Sequence, residues 1–60
     1  MISYRLYCLR DGRVFSMALF EAEDDVAATE AATARGSRLD CELWCDGRLV
    51  AFIPAATDEV

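Results

Sequence analysis

The chain holds no histidine, lysine, asparagine or glutamine. Without histidine it lacks the commonest metal ligand and the commonest general base. It has no Cys-x-x-Cys pair, no glycine-rich phosphate loop, no nucleophile elbow and no Ser-His-Asp set. A zinc site would have to use all three thiols, Cys8, Cys41 and Cys45, together with a carboxylate. No catalytic, cofactor-binding or metal-binding residues are therefore expected, and the chain is not expected to be an enzyme. The acidic stretch Glu21, Glu23, Asp24, Asp25 lacks the alternating oxygen ligands, central glycine and closing glutamate of a calcium loop, and reads instead as helix capping.

Positive charge is scarce and scattered. The six basic residues, Arg5, Arg10, Arg13, Arg35, Arg38 and Arg48, form no run, and the net charge is −5. Tracking phosphates or anionic lipid needs clustered cations, so neither nucleic acid nor membrane is an expected partner. No apolar run approaches membrane-spanning length, and Met1-Ile2-Ser3-Tyr4-Arg5 has neither a basic nor a long apolar leader segment. A cytoplasmic protein is expected, in which all three cysteines stay thiols. The bias toward arginine and toward alanine over lysine, asparagine and glutamine reads as the coding bias of a GC-rich genome.

What is present is a short internal echo. Leu6-Tyr7-Cys8 followed by Asp11-Gly12-Arg13 returns as Leu43-Trp44-Cys45 followed by Asp46-Gly47-Arg48. Asp-Gly between β-prone apolar residues is a strong hairpin signal, so each copy predicts two strands and a tight turn. The intervening segment from Val26 to Arg35 is rich in alanine, with Asp24 placed as N-cap and Gly36 as C-terminal stop, and predicts a helix. The expected fold is α+β, ββαββ: one four-stranded sheet of two hairpins with a single helix on one face. The domain is expected to span 1–53, with a frayed tail over 54–60. Two strand orders fit, and the one that pairs strands one and four in parallel at the centre is favoured. Order 2-1-4-3 puts the apolar strand Leu49 to Ile53 inside and the acidic Asp40 to Glu42 at an edge; order 2-1-3-4 is the all-antiparallel alternative.

Register decides which side chains share a face. A three-residue loop at Cys45-Asp46-Gly47 gathers Leu39, Cys41, Leu43, Leu49, Ala51 and Ile53 on an uncharged inner face and sends Asp40, Glu42, Trp44, Arg48, Val50 and Phe52 to the other side, whereas a two-residue turn would put Glu42 among Leu49, Ala51 and Ile53 at a cost. The same loop at Arg10-Asp11-Gly12 gives an inner face of Ile2, Tyr4, Leu6, Cys8, Val14, Ser16, Ala18 and Phe20. Cys8 and Cys41 then read as small core residues, and Cys45, in the turn, as the most exposed thiol.

The outer face is left with Tyr7, Leu9, Phe15, Met17, Leu19, Trp44, Val50 and Phe52. At 55% apolar residues the chain has more apolar surface than one side of a small sheet can hide. Aromatic residues and methionine ringed by arginine and acidic groups match the composition of protein interfaces. The expected function is thus a small non-catalytic interaction module, in first place a homodimer joined through this outer face, because a two-fold axis lets one patch cover itself.

Across nearly its whole length the chain resembles a set of short bacterial ββαββ proteins of unassigned function. The resemblance rests on Tyr4 to Tyr7, Phe20 to Asp25, Glu42 to Trp44 and Arg48 to Ala51. It implies the fold and no mechanism. Met17 to Leu19 and Phe52 depart from that pattern, where polar residues are more usual, and enlarge the outer apolar face. A fainter similarity, in the run of strand, strand, acidic cap and alanine-rich helix, is to the HicB-type antitoxin half-domain. It implies an alternative function, an acidic inhibitor or antitoxin-like partner of another protein. A thiol-linked redox or metal role is the third reading.

Overall fold

The computed structural model describes residues 1–56. The element order is β1 (Ile2–Arg10), β2 (Arg13–Ala22), α1 (Asp25–Ala34), β3 (Asp40–Cys45) and β4 (Arg48–Ile53). The strands form one antiparallel sheet in the order β2-β1-β3-β4, with α1 on one face, so the fold is the ββαββ α+β fold that the echo predicts. The favoured order 2-1-4-3 is incorrect, and the all-antiparallel alternative holds. The reason lies in the pairing of β1 with β3, which sets Leu6 against Leu43 and Cys8 against Cys41 beneath the helix. Acidic β3 needs no edge position, because Glu42 and Asp40 point to the opposite face.

Both turns are tighter than the three-residue loops expected. Asp11 and Gly12 take φ of 53° and 77°, and Asp46 and Gly47 take 49° and 77°. Positive φ at both central residues makes each a two-residue type I′ turn, whose twist matches that of the strands, and glycine holds the second position without steric cost. Arg10 accordingly pairs with Arg13, and Cys45 with Arg48. Each ladder then slips, between Cys8 and Leu9 in the first hairpin and between Leu43 and Trp44 in the second. The unpaired residues are Phe15 and Val50, one step beyond the residues that face Leu9 and Trp44. One extra residue restores the alternation that the longer loop would have produced. Tyr4, Leu6, Cys8, Ala18, Phe20, Leu43, Ala51 and Ile53 therefore share the inner face as expected, while Glu42 stays off it.

The bulges move Val14, Leu49 and Val50, and bring Arg48, expected outside, to the helix side. Val14 and Leu49, expected inside, pair with Leu9 and Trp44 and lie exposed on the outer face. Val50, expected outside, packs against the core and lines a cleft with Asp25, Val26 and Thr29 of α1.

α1 starts where a carboxylate can cap it. The Asp24 side chain accepts from the Ala27 N–H at 2.8 Å, and Asp25 in the first turn complements the helix dipole. Ala28 and Ala32, one turn apart, are 0% and 2% exposed, so the helix rests on the sheet through methyl groups. The bulk beneath it comes from Tyr4, Leu6 and Leu43, with the Tyr4 ring stacked 6.0 Å from that of Phe20.

Cys8 and Cys41, both buried, are joined as a disulfide across β1 and β3. This corrects the expectation of three free thiols. Cys45, the remaining thiol, is buried at the end of β3 instead of exposed in a turn. Beyond Ile53, two hydrogen bonds are made by backbone N–H groups at the start of the expected tail, as far as Ala56. The Ala55 N–H donates to Asp40 Oδ1 and the Ala56 N–H to the Ser37 carbonyl, each at 2.8 Å. The rest of the expected tail, 57–60, lies outside the described residues.

Two outcomes check this packing. Ala28→Leu, which forces bulk between helix and sheet, should lower unfolding stability by about 1–3 kcal/mol in urea titration. Reduction of Cys8–Cys41, which closes a separation of 33 residues, should cost about 4 kcal/mol on the loop-entropy model. A urea midpoint insensitive to reductant in the wild type would refute that pairing, and a Cys8→Ala/Cys41→Ala double variant supplies the insensitive baseline.

Candidate interaction surface

The face away from α1 is ordered by the register into rows across the sheet. Leu19, Arg5, Trp44 and Leu49 make one row, and Met17, Tyr7, Glu42 and Phe52 the next. Val14, Leu9 and Asp40 follow toward the first turn. The apolar side chains thus form two strips, one over β2 and β1 and one over β3 and β4. Between them lie Arg5, Glu42 and Asp40 on the central strands. The Trp44 indole N–H donates to Glu42 Oε1 at 3.0 Å, which fixes the ring along the sheet and partners the carboxylate. Tyr7, Leu9 and Trp44 are half-buried by their neighbours. The edge strands are barer: Leu19 is 65% exposed and Phe52 54%.

On the helix side, the polar groups converge on Asp25. The buried Tyr4 hydroxyl donates to Asp25 Oδ1 at 2.8 Å, and Arg48 donates to Oδ2 at 3.0 Å and to Oδ1 at 3.3 Å. One carboxylate thereby ties the first turn of α1 to β1 and to β4. The Arg48 guanidinium, with help from the Tyr4 hydroxyl, holds the Asp25 carboxyl below the usual aspartate range. The same contact keeps Arg48 more firmly protonated. Burial, reinforced by the hydrogen bond to Asp25 and its charge, pushes the Tyr4 hydroxyl from 10.0 up to about 12. Tyr4, Asp25 and Arg48 thus form a clasp between the helix and the sheet. Among the described residues, no group of three or more Cys, Asp or Glu side chains is arranged to hold a metal ion.

Comparison with family models, with curated proteins and with solved structures finds no match to this chain.

Six of the eight residues expected at the interface lie on the outer face: Tyr7, Leu9, Met17, Leu19, Trp44 and Phe52. Val50 does not, because the bulge turns it to the helix. Phe15 has no register partner, and its ring lies beneath the Arg10 guanidinium, 5.4 Å from centroid to Cζ. Val14 and Leu49 join the surface in their place. Arg48, expected outside, belongs to the Asp25 clasp. The signal for these reassignments was the Asp-Gly pair itself, whose preferred two-residue turn puts Arg48 opposite Cys45.

The clasp gives stability a defined pH dependence. Asp25 has a depressed native pKa, so its contribution is full above the ordinary aspartate range, about pH 4. It is lost as pH falls through the native value. Tyr4 has a raised pKa, so its contribution is intact below pH 10 and is lost as pH rises toward 12. Urea midpoints of the wild type and Asp25→Asn should therefore differ at neutral pH and converge in acid, while Tyr4→Phe should abolish the alkaline loss. Parallel profiles for all three proteins would contradict the clasp.

Proposed function

We propose that the protein is a small non-catalytic interaction module that self-associates as a homodimer through its outer sheet face. The observation that carries this reading is the exposure of Met17, Leu19, Leu49 and Phe52 together on a face that no described element covers. Large exposed apolar patches are uncommon on monomers, and a two-fold axis lets one such patch satisfy itself. Arg5 and Glu42, set between the apolar strips, give a second copy unlike charges to meet. Other partner classes have less support, since a net charge of −5 with dispersed arginines favours neither nucleic acid nor anionic lipid.

We place this homodimer in a bacterial cytoplasm. The composition supports a GC-rich bacterial origin, and among the described residues no helix is long and apolar enough to cross a membrane. The Cys8–Cys41 disulfide pulls the other way, since such bonds are rare in a reducing compartment.

Light scattering over a dilution series tests the reading. The wild type should run at twice the chain mass at micromolar concentration. Leu19→Arg should shift it to the monomer with an unchanged far-ultraviolet circular dichroism spectrum. A wild type that is monomeric throughout would remove the proposal.

A further inference from the structure

We infer that two copies meet along β2, edge to edge and antiparallel, so that their sheets join into one continuous sheet. This rests on the self-association just proposed but moves its seam from the outer face to the β2 edge, so that Leu49 and Phe52 on β4 lie outside the contact. The two edges of the sheet differ in protection. β4 is short, begins at Arg48 and is followed directly by Pro54, which has no N–H to offer. β2 is the longest strand, and from Val14 to Phe20 it carries no charge and no proline. Edges of that kind are templates for another strand, and proteins that remain monomeric blunt them.

The direction of the free backbone groups follows from the central pair. The Cα atoms of Cys8 and Cys41 are 4.0 Å apart, the narrow spacing of a pair that exchanges no backbone hydrogen bonds, as against about 5.5 Å for one that does. The N–H and C=O of Cys8 therefore point away from β3, toward Ser16 of β2. By alternation, the backbone groups of Ser16, Ala18 and Phe20 face β1. Those of Met17, Leu19 and Glu21 face the open edge.

Charge along the strand selects a second copy as the occupant, and its antiparallel orientation. β2 starts beside Arg10 and Arg13 and ends in Glu21, Glu23 and Asp24. A parallel neighbour would set like charges together at both ends. An antiparallel copy about a two-fold at Ala18 brings the Arg13 turn beside Glu23 of the other chain. The same axis sets Met17 against Leu19 of the second copy, twice, with the outward N–H and C=O of each facing those of the other. Methionine and leucine, bare on one molecule, then cover each other at the seam.

Chemical synthesis with N-methyl-Leu19 removes the edge donor while retaining the side chain and every hydrogen bond to β1. Removing one hydrogen bond per copy should weaken the dimer on the order of 10- to 100-fold. The circular dichroism spectrum should be unchanged, and Trp44→Arg, remote from the seam, should remain a dimer. In hydrogen exchange, the amides of Met17 and Leu19 should be slowed in the wild-type dimer and released on dilution. If N-methyl-Leu19 dimerises normally, or those amides exchange freely in the dimer, edge pairing is overturned. Dispersal by Trp44→Arg alone would leave self-association standing with the sheets stacked face to face. A monomeric wild type would overturn both.

Discussion

The two-residue turns at Asp11-Gly12 and Asp46-Gly47 constrain everything built on the strands that leave them. A type I′ turn fixes which residues are paired at its mouth, and in a regular ladder that choice would put Glu42 on the face that packs against α1. One unpaired residue in each hairpin, Phe15 and Val50, reverses the consequence. Removing a bulge would rotate the whole inner set of its hairpin to solvent, because side chains alternate with a period of two. The same device at the same distance from both turns explains why the echo carries structural information: Asp-Gly-Arg followed by two apolar residues is a turn and a bulge together.

The bulges also create the clasp. Arg48, paired with Cys45 above the slip, lies on the helix side and reaches Asp25, which Tyr4 meets from beneath. An alanine-lined helix contributes little bulk of its own, so its position depends on what fixes its first turn. Asp24 caps the backbone there, and Asp25 joins the side chains of two different strands. The Arg48 contact is solvent-exposed and screened, whereas the Tyr4 hydroxyl is enclosed. Of the two partners of Asp25, Tyr4 therefore sets the register of helix on sheet more firmly.

The element list and the inner face were legible in the sequence because hairpin turns, caps and alternation are local signals. The faces of Leu43, Ala51 and Ile53 are the same for a three-residue loop as for the observed two-residue turn with a bulge, since both produce the same parity. They differ only between the turn and the slip, which is where Val14, Leu49, Val50 and Arg48 were misplaced. Strand order was less legible, because it depends on which hairpin strands meet after the helix. A charged strand was assigned to the edge by the general rule that charge protects edges. In this sheet the charges of β3 leave through the outer face instead, with Glu42 held by the Trp44 indole. The Cys8–Cys41 pairing required the β1–β3 neighbourhood and could not precede it.

This placement of charge bears on the outer surface as a whole. Arg5, Glu42 and Asp40 occupy the middle strands beside the half-buried Tyr7, Leu9 and Trp44, and the barest apolar residues stand on β2 and β4. A face designed only to stack on another sheet would be expected to concentrate its apolar residues at the centre, where desolvation is most complete and charge most costly. Here the centre carries Arg5 and Glu42, and the barest apolar residue of the outer face, Leu19, stands on the strand whose backbone is also unsatisfied on one side. Side chain and main chain of β2 thus call for the same kind of neighbour, one that supplies both a hydrogen-bond ladder and apolar contact. Another strand is the element that supplies both.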